Sequence, residues 1–382
     1  MNTWLDIVRR VDGFSDLPLD PELLATMEAG ASAAPGGIHF YTPTFKSYQS
    51  SELSDCGRGA WPAVSITGSE CKLQCDHCKA KILEPMISAT TPELLWQTVS
   101  GLVAGGAGGM LLTGGSNHRD EVEYDAFYPT IRRIKDTFPD FRIAMHTALV
   151  DDAVAGRMAA AGIDAAMMDV IGAQDTITQV YHLKRPVGDF EQALSCLNRT
   201  SMKVVPHIVI GLHYGHLLGE WEALEIIRRN PPSALVLVVV MPMYAPLNRP
   251  FVTPDPHEVG RFFLDARRAL PNTPILLGCA RPPGAIKSVI DAYAVLAGVN
   301  GMAHPSDGIV ELAARLGRSV RVTPACCSIA VGDEVMALGG PVGVELNLEQ
   351  ILEEERRSAR SQQSLGGIRV RTESPCASGG CR

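Results

Sequence analysis

The chain has 382 residues, 46% of them hydrophobic, 20% charged and 6% aromatic, with a net charge of −8. That balance excludes a largely disordered chain and gives no global attraction to nucleic acid or to an anionic membrane. The opening "MNTWLDIVRRVDGFSDLPLD" has no secretory apolar segment, and no apolar run is long enough to span a membrane, so the expectation is a cytoplasmic protein with neither nucleic acid nor membrane as partner.

Residues 1–60, with Pro and Gly interruptions and the aromatic segment "GGIHFYTPTFKSY", read as an N-terminal arm or cap. From Trp61 onward, short apolar or β-branched runs alternate with longer helix-compatible intervals. The runs are "AVSIT", "GGMLLT", "FRIAMHT", "AAMMDV", "KVVPHIVI", "LVLVVVM", "PILLGCA" and "NGMAHPS". Between them, "TPELLWQTVSGLVAGG", "DAFYPTIRRIKDTF", "DDAVAGRMAAAG", "DFEQALSCLNRT", "WEALEIIRR", "DPHEVGRFFLDARRAL" and "AIKSVIDAYAVLAG" suit crossover helices. The rhythm predicts an α/β fold of parallel strands joined by helices, and eight strand candidates over residues 61–308 predict a TIM-type, complete (β/α)8 barrel. Residues 309–350 are expected to form a C-terminal cap with a cysteine pair, and 351–382 a charged helix and flexible tail.

The first barrel strand runs directly into "SITGSECKLQCDHCKAKIL", which places Cys71, Cys75 and Cys78 within eight positions. Three thiolates can hold three irons of a cubic [4Fe–4S] cluster and leave the fourth iron open to a small-molecule ligand. A Cys3His zinc site completed by His77, or a redox triplet without a cluster, would use the same residues, although zinc sites more often pair their short spacings.

Cys71-x3-Cys75-x2-Cys78 is the signature of the radical S-adenosylmethionine (radical SAM) superfamily, which the sequence resembles from about residue 61 to about residue 307. The resemblance implies that Cys71, Cys75 and Cys78 bind a [4Fe–4S] cluster whose open iron chelates SAM, and that reductive cleavage of SAM yields a hydrogen-abstracting 5′-deoxyadenosyl radical. It further implies that His77 occupies an adenine-contacting aromatic position. Gly114 and Gly115 of "LLTGGS" would offer backbone to the SAM amino group, with Ser116 where a glutamate is common. Asp169 would accept from the ribose, Arg185 would clamp the methionine carboxylate, and Gly211 would permit close approach to adenine.

Each of these has an ordinary reading as well. The glycine pair also suits a plain strand-ending turn, Asp169 a helix cap, and Arg185 and Lys184 surface charge. His213 and His216 suit a polar loop.

Four further cysteines, Cys56, Cys279, Cys326 and Cys327, are candidates for the ligands of an auxiliary iron–sulfur cluster, or for packed thiols. Cys196 lies in the apolar helix pattern of "FEQALSCLNRT" and reads as a buried thiol; Cys376 and Cys381 form a terminal pair without an assigned role. Within the superfamily the whole chain resembles the biotin-synthase-like branch. "FYTPTFKSY", "DCGRGAWPAVSITGSECKLQCDHCKAKIL" and "ISATTPELL" resemble the second protein of the two-protein, non-classical lipoyl synthase system.

That resemblance implies sulfur insertion into an octanoyl chain carried on a lipoyl carrier domain or peptide, with the auxiliary cluster as sulfur donor. A companion radical SAM lipoyl synthase protein and an electron donor such as flavodoxin or ferredoxin are the implied partners. Radical methylation or rearrangement of a small cofactor precursor, and a non-enzymatic iron–sulfur scaffold or electron carrier, are the alternatives.

Overall fold

The computed structural model describes residues 3–30, 37–43, 50–53, 60–241, 247–329 and 344–345. Two helices, α1 (Trp4–Val8) and α2 (Pro21–Gly30), precede β1 (Ile38–Tyr41), β2 (Ala63–Ser65) and the short β3 (Ile87–Ser88). Then follow α3 (Pro92–Ala104), β4 (Gly109–Thr113), α4 (Tyr128–Thr137), β5 (Arg142–His146), α5 (Asp152–Ala161) and β6 (Ala165–Asp169). α6 (Gln174–Gln179) and α7 (Val187–Asn198) lead to β7 (Lys203–Ile210), α8 (Glu220–Arg229), β8 (Leu235–Val239), α9 (Pro256–Ala269) and β9 (Ile275–Leu277). α10 (Ala285–Leu296), β10 (Gly301–Ala303), α11 (Ile309–Arg315), β11 (Val320–Thr323) and β12 (Val344–Glu345) complete the order.

Local signals set the boundaries. Thr91 accepts from the Leu94 N–H at the start of α3, where Pro92 occupies the first turn, and Asp151 does the same for α5 through Val154. Gly162, with φ at +90°, ends α5 in the left-handed conformation that a glycine adopts without steric cost. Helix α10 is buried along most of its length, because it packs against both α9 and α11.

The eight predicted strand runs are all strands, and they lie in sequence order as β2-β4-β5-β6-β7-β8-β9-β10. They do not close into a (β/α)8 barrel. Closure would need β10 to pair with β2, but β10 instead pairs in parallel with β1, β1 pairs with β11, and the outer side of β2 is taken by β3. The result is an open, curled half-barrel of eleven parallel strands whose edges stand 21 Å apart, with β12 added antiparallel to β11. Residues 38–41, inside the segment read as an arm, thus supply a sheet strand whose Ile38 and Phe40 are wholly buried.

The concave face carries a core that includes Tyr41, Trp61, Met167, Val205, Val236 and Leu276. At the β9–β10 edge the buried Arg281 pairs with the equally buried Asp291 of α10 at 2.7 Å, and donates to the carbonyls of Gly278, Ala303 (2.6 Å) and His304 (2.8 Å). The predicted charged helix and tail, residues 351–382, lie outside the described residues, as do Cys56, Cys376 and Cys381. Among the described residues no helix is long and apolar enough to cross a membrane.

Candidate functional site

A cavity of about 330 Å³ opens over the inner face of the sheet. Its wall contains Cys71, Cys75, His77 and Cys78, then Gly114, Gly115 and Ser116, then Asp169, and, from late in the chain, Cys279, Cys326 and Cys327. Residues more than 200 positions apart in sequence therefore share one chamber. None of the seven described cysteines is in a disulfide.

The triplet sits on the loop after β2. Thr67 Oγ1 donates to the Glu70 carbonyl at 2.8 Å and accepts from the Gly115 N–H at 2.7 Å, while the Lys72 N–H donates to the Ser116 carbonyl at 2.9 Å. Gly115 has to be a glycine: a Cβ there would lie 2.0 Å from the Glu70 carbonyl oxygen and 2.6 Å from Cys71 Cα. The glycine turn after β4 and the cysteine loop thus brace one another through the Gly115 N–H and Thr67.

Farther along the loop, Asp76 ties it to the connection between α6 and α7 and to the loop after β7. Its carboxylate accepts from Lys79 (2.5 Å) and Tyr214 (2.9 Å) and contacts His182 Nε2 at 3.0 Å, and its N–H donates to the Val180 carbonyl at 2.8 Å.

The three thiols line one cavity. Burial raises the Cys75 thiol well above the ordinary range, reinforced by the charges of Cys78, Asp120 and Cys71. Burial acts on Cys78 in the same direction, but the charge and hydrogen bond of His77 outweigh it and lower Cys78. His77 itself stacks on Tyr181 with ring centroids 5.2 Å apart. Among the described residues, three His, Cys, Asp or Glu ligand atoms come within 4.8 Å of one another only at His146, Asp169 and His207.

Cys326 and Cys327, which also line the chamber, follow β11. The hydrogen bond to Cys327 lowers the Cys326 thiol to about 7 against the effect of burial, aided by the Ser328 hydroxyl, which donates to its sulfur at 3.0 Å. Cys327 is raised by the same hydrogen bond and by burial. Cys279 lies just past β9 on the loop that Arg281 fixes.

His146, Asp169 and His207 end or interrupt three neighbouring strands, β5, β6 and β7, and this trio can hold a metal ion. The sheet register sets Asp169 opposite His207 and His146 opposite Met167, two residues before Asp169 and on the same face. Burial pushes the Asp169 carboxyl up, but His146, 3.7 Å away, with His207 and His77, holds it down at about 2. Burial, followed by the charge of His146, lowers His207 to about 4.

Asp120, beside Ser116, is buried, and burial raises its carboxyl to about 6. Sequence reading singled out Asp169 but not Asp120, His146, Tyr181 or His207. The available signal was a polar residue ending consecutive strand runs, "AMH" and "MMD", at the carboxyl edge where barrel-type sites form.

Other expected residues lie elsewhere. Arg185 does not line the cavity and is held by Glu121 and Asp189, each at 3.1 Å. Gly211, at φ +78°, donates its N–H to the buried Glu220 at 2.8 Å and is also outside the lining. His213 and His216 face each other in a local bridge, with His213 against Thr176 Oγ1 at 3.2 Å. Cys196 is buried on α7, as expected.

No protein-family model and no curated protein matches the chain. Solved structures do. "HydG: A maturase of the [FeFe]-hydrogenase" matches with a TM-score of 0.51 at 11% identity, covering 96% of this chain and 86% of that one. Methylornithine synthase (PylB) matches at 0.49 and 12% identity over 91% and 96% of the two chains. The FeFe-hydrogenase maturase HydG from Carboxydothermus hydrogenoformans matches at 0.47 and 13% identity over 83% and 77%.

The chain shares the overall fold of HydG. At 11% identity the likeness is one of architecture alone.

Proposed function

We propose that the protein is a radical SAM enzyme that inserts sulfur into an octanoyl chain attached to a lipoyl carrier domain. The observation that carries this reading is that two separate thiol groups, Cys71/Cys75/Cys78 and Cys279/Cys326/Cys327, face one chamber. A [4Fe–4S] cluster with an open iron and SAM supply a hydrogen-abstracting radical when bound, and an auxiliary iron–sulfur cluster supplies sulfur.

In this reading Cys71, Cys75 and Cys78 hold the first cluster, on a loop whose position is fixed by the Thr67–Gly115 and Asp76 contacts. His77, stacked on Tyr181, offers a flat face to adenine. Cys326 is the more acidic of the vicinal pair and so the first of the two to present a thiolate to iron, with Cys279 nearby across the β9 edge. Leu73, Leu83, Met86, Leu111 and Val209 line the same chamber, which suits an alkyl chain and keeps water from the reacting carbon. A companion radical SAM protein for the second sulfur, and a flavodoxin- or ferredoxin-type electron donor, complete the proposal.

The test is anaerobic reconstitution followed by incubation with SAM, reductant and an octanoylated carrier peptide, read by mass spectrometry. One sulfur added per peptide with matching 5′-deoxyadenosine is expected. Replacing Cys326 and Cys327 together by Ala should leave SAM cleavage intact and abolish sulfur addition. SAM cleavage without any change in the octanoyl peptide would sink the specific reading, and cluster transfer without SAM cleavage would favour a scaffold.

A further inference from the structure

We propose that His146, Asp169 and His207 form a distinct binding site for one divalent transition-metal ion, separate from both thiol groups. Their ligand atoms lie within 4.8 Å of one another. They are carried on three adjacent, hydrogen-bonded strands rather than on loops, so their spacing is set by sheet register.

The surroundings are those of a prepared metal site. His207 Nδ1 lies 3.1 Å from the Val205 carbonyl, which takes its N–H and leaves the Nε2 lone pair for a ligand. The Tyr181 hydroxyl donates to Asp169 Oδ2 at 3.3 Å, which orients the carboxylate and turns Oδ1 toward His146. His146 Nε2 and Asp169 Oδ1 are then 3.7 Å apart. That is too long for a hydrogen bond, yet close to the roughly 3.4 Å that separates two ligands of a tetrahedral ion with bonds of about 2.0–2.1 Å.

Two imidazoles and one carboxylate suit borderline ions such as zinc, iron(II) or cobalt(II). They fit neither magnesium or calcium, which take oxygen, nor soft ions, which take sulfur. Three protein ligands leave a coordination position open, and all three residues line the chamber, so that position faces whatever the chamber holds. Asp169, with Tyr181 on one oxygen and the ion on the other, acts here as a ligand.

The test is a cobalt(II) titration of the full-length protein under anaerobic conditions, compared with His207→Gln and Asp169→Asn. Each variant should bind one equivalent fewer, and the lost component should show d–d absorption without sulfur-to-cobalt charge transfer. Unchanged stoichiometry in both variants, or a lost component carrying sulfur charge transfer, overturns the site. Should neither variant fold by circular dichroism, wild type with its thiols capped by methylthio groups decides: one equivalent bound supports the site and none overturns it. SAM cleavage assayed on separately reconstituted wild type keeps failure of the proposed enzyme distinct from failure of this metal site.

Discussion

At the scale of single residues, the cysteine loop depends on a position that carries no side chain. Gly115 lets Glu70 and Cys71 pass at a distance where even a methyl group collides with backbone. Backbone cannot yield as a flexible side chain would. Gly115→Ala is therefore expected to cost about 1–3 kcal/mol of stability and to displace Cys71. Thermal unfolding together with iron content after reconstitution checks this; a variant with wild-type values of both would show that the loop has slack. The cysteine triplet was legible because three identical ligands in eight positions form a local pattern. His146, Asp169 and His207 were not, because each is an unremarkable polar residue on its own strand and only the register brings them together.

At the scale of elements, the wall that carries Cys279 is held by the ion pair between Arg281 and Asp291, both fully buried. Removing one partner leaves the other charge buried without a counter-ion. Asp291→Ala is expected to destabilise the protein by about 3–5 kcal/mol, measured by denaturant unfolding, and the loss should exceed that of a surface Asp125→Ala, whose Arg157 partner is exposed. Most strands and helices of residues 61–308, though not the short β3 and α6, were readable from hydrophobic period, since buried parallel strands and amphipathic crossover helices have distinct repeats. The four-residue β1 was not, because "IHFY" lies among glycines and prolines and gains its strand identity from the neighbours on either side, β10 and β11. That tertiary pairing is also what turned an expected closed barrel into a half-barrel.

At the scale of the whole molecule, stability should carry a pH signature from a buried carboxylate. Glu52 accepts from the backbone N–H groups of Gly308, Val310 and Glu311 at the start of α11, at 2.8, 3.3 and 2.9 Å. Burial still pushes its carboxyl up to about 7, against those donors, from an ordinary 4.5. A carboxyl raised on folding contributes stability that is full below about pH 4.5 and is lost as pH rises through about 7. In Glu52→Gln the group cannot ionise. The variant is therefore expected to gain on wild type by about 3 kcal/mol between pH 4.5 and 8, as followed by denaturant unfolding across that range. A constant difference between the two would show that Glu52 titrates normally.

The place of β1 has one more consequence. His39 forms its ladder with Gly301 and with Arg321, so the segment emerges early from the ribosome while both of its neighbours are still untranslated. Until then Ile38 and Phe40, buried in the finished protein, are without the neighbours that bury them. The last event in maturation of the nascent polypeptide is thus expected to be a long-range capture that seats this early strand between two late ones, the slow kind of contact that makes a newly made chain dependent on chaperones.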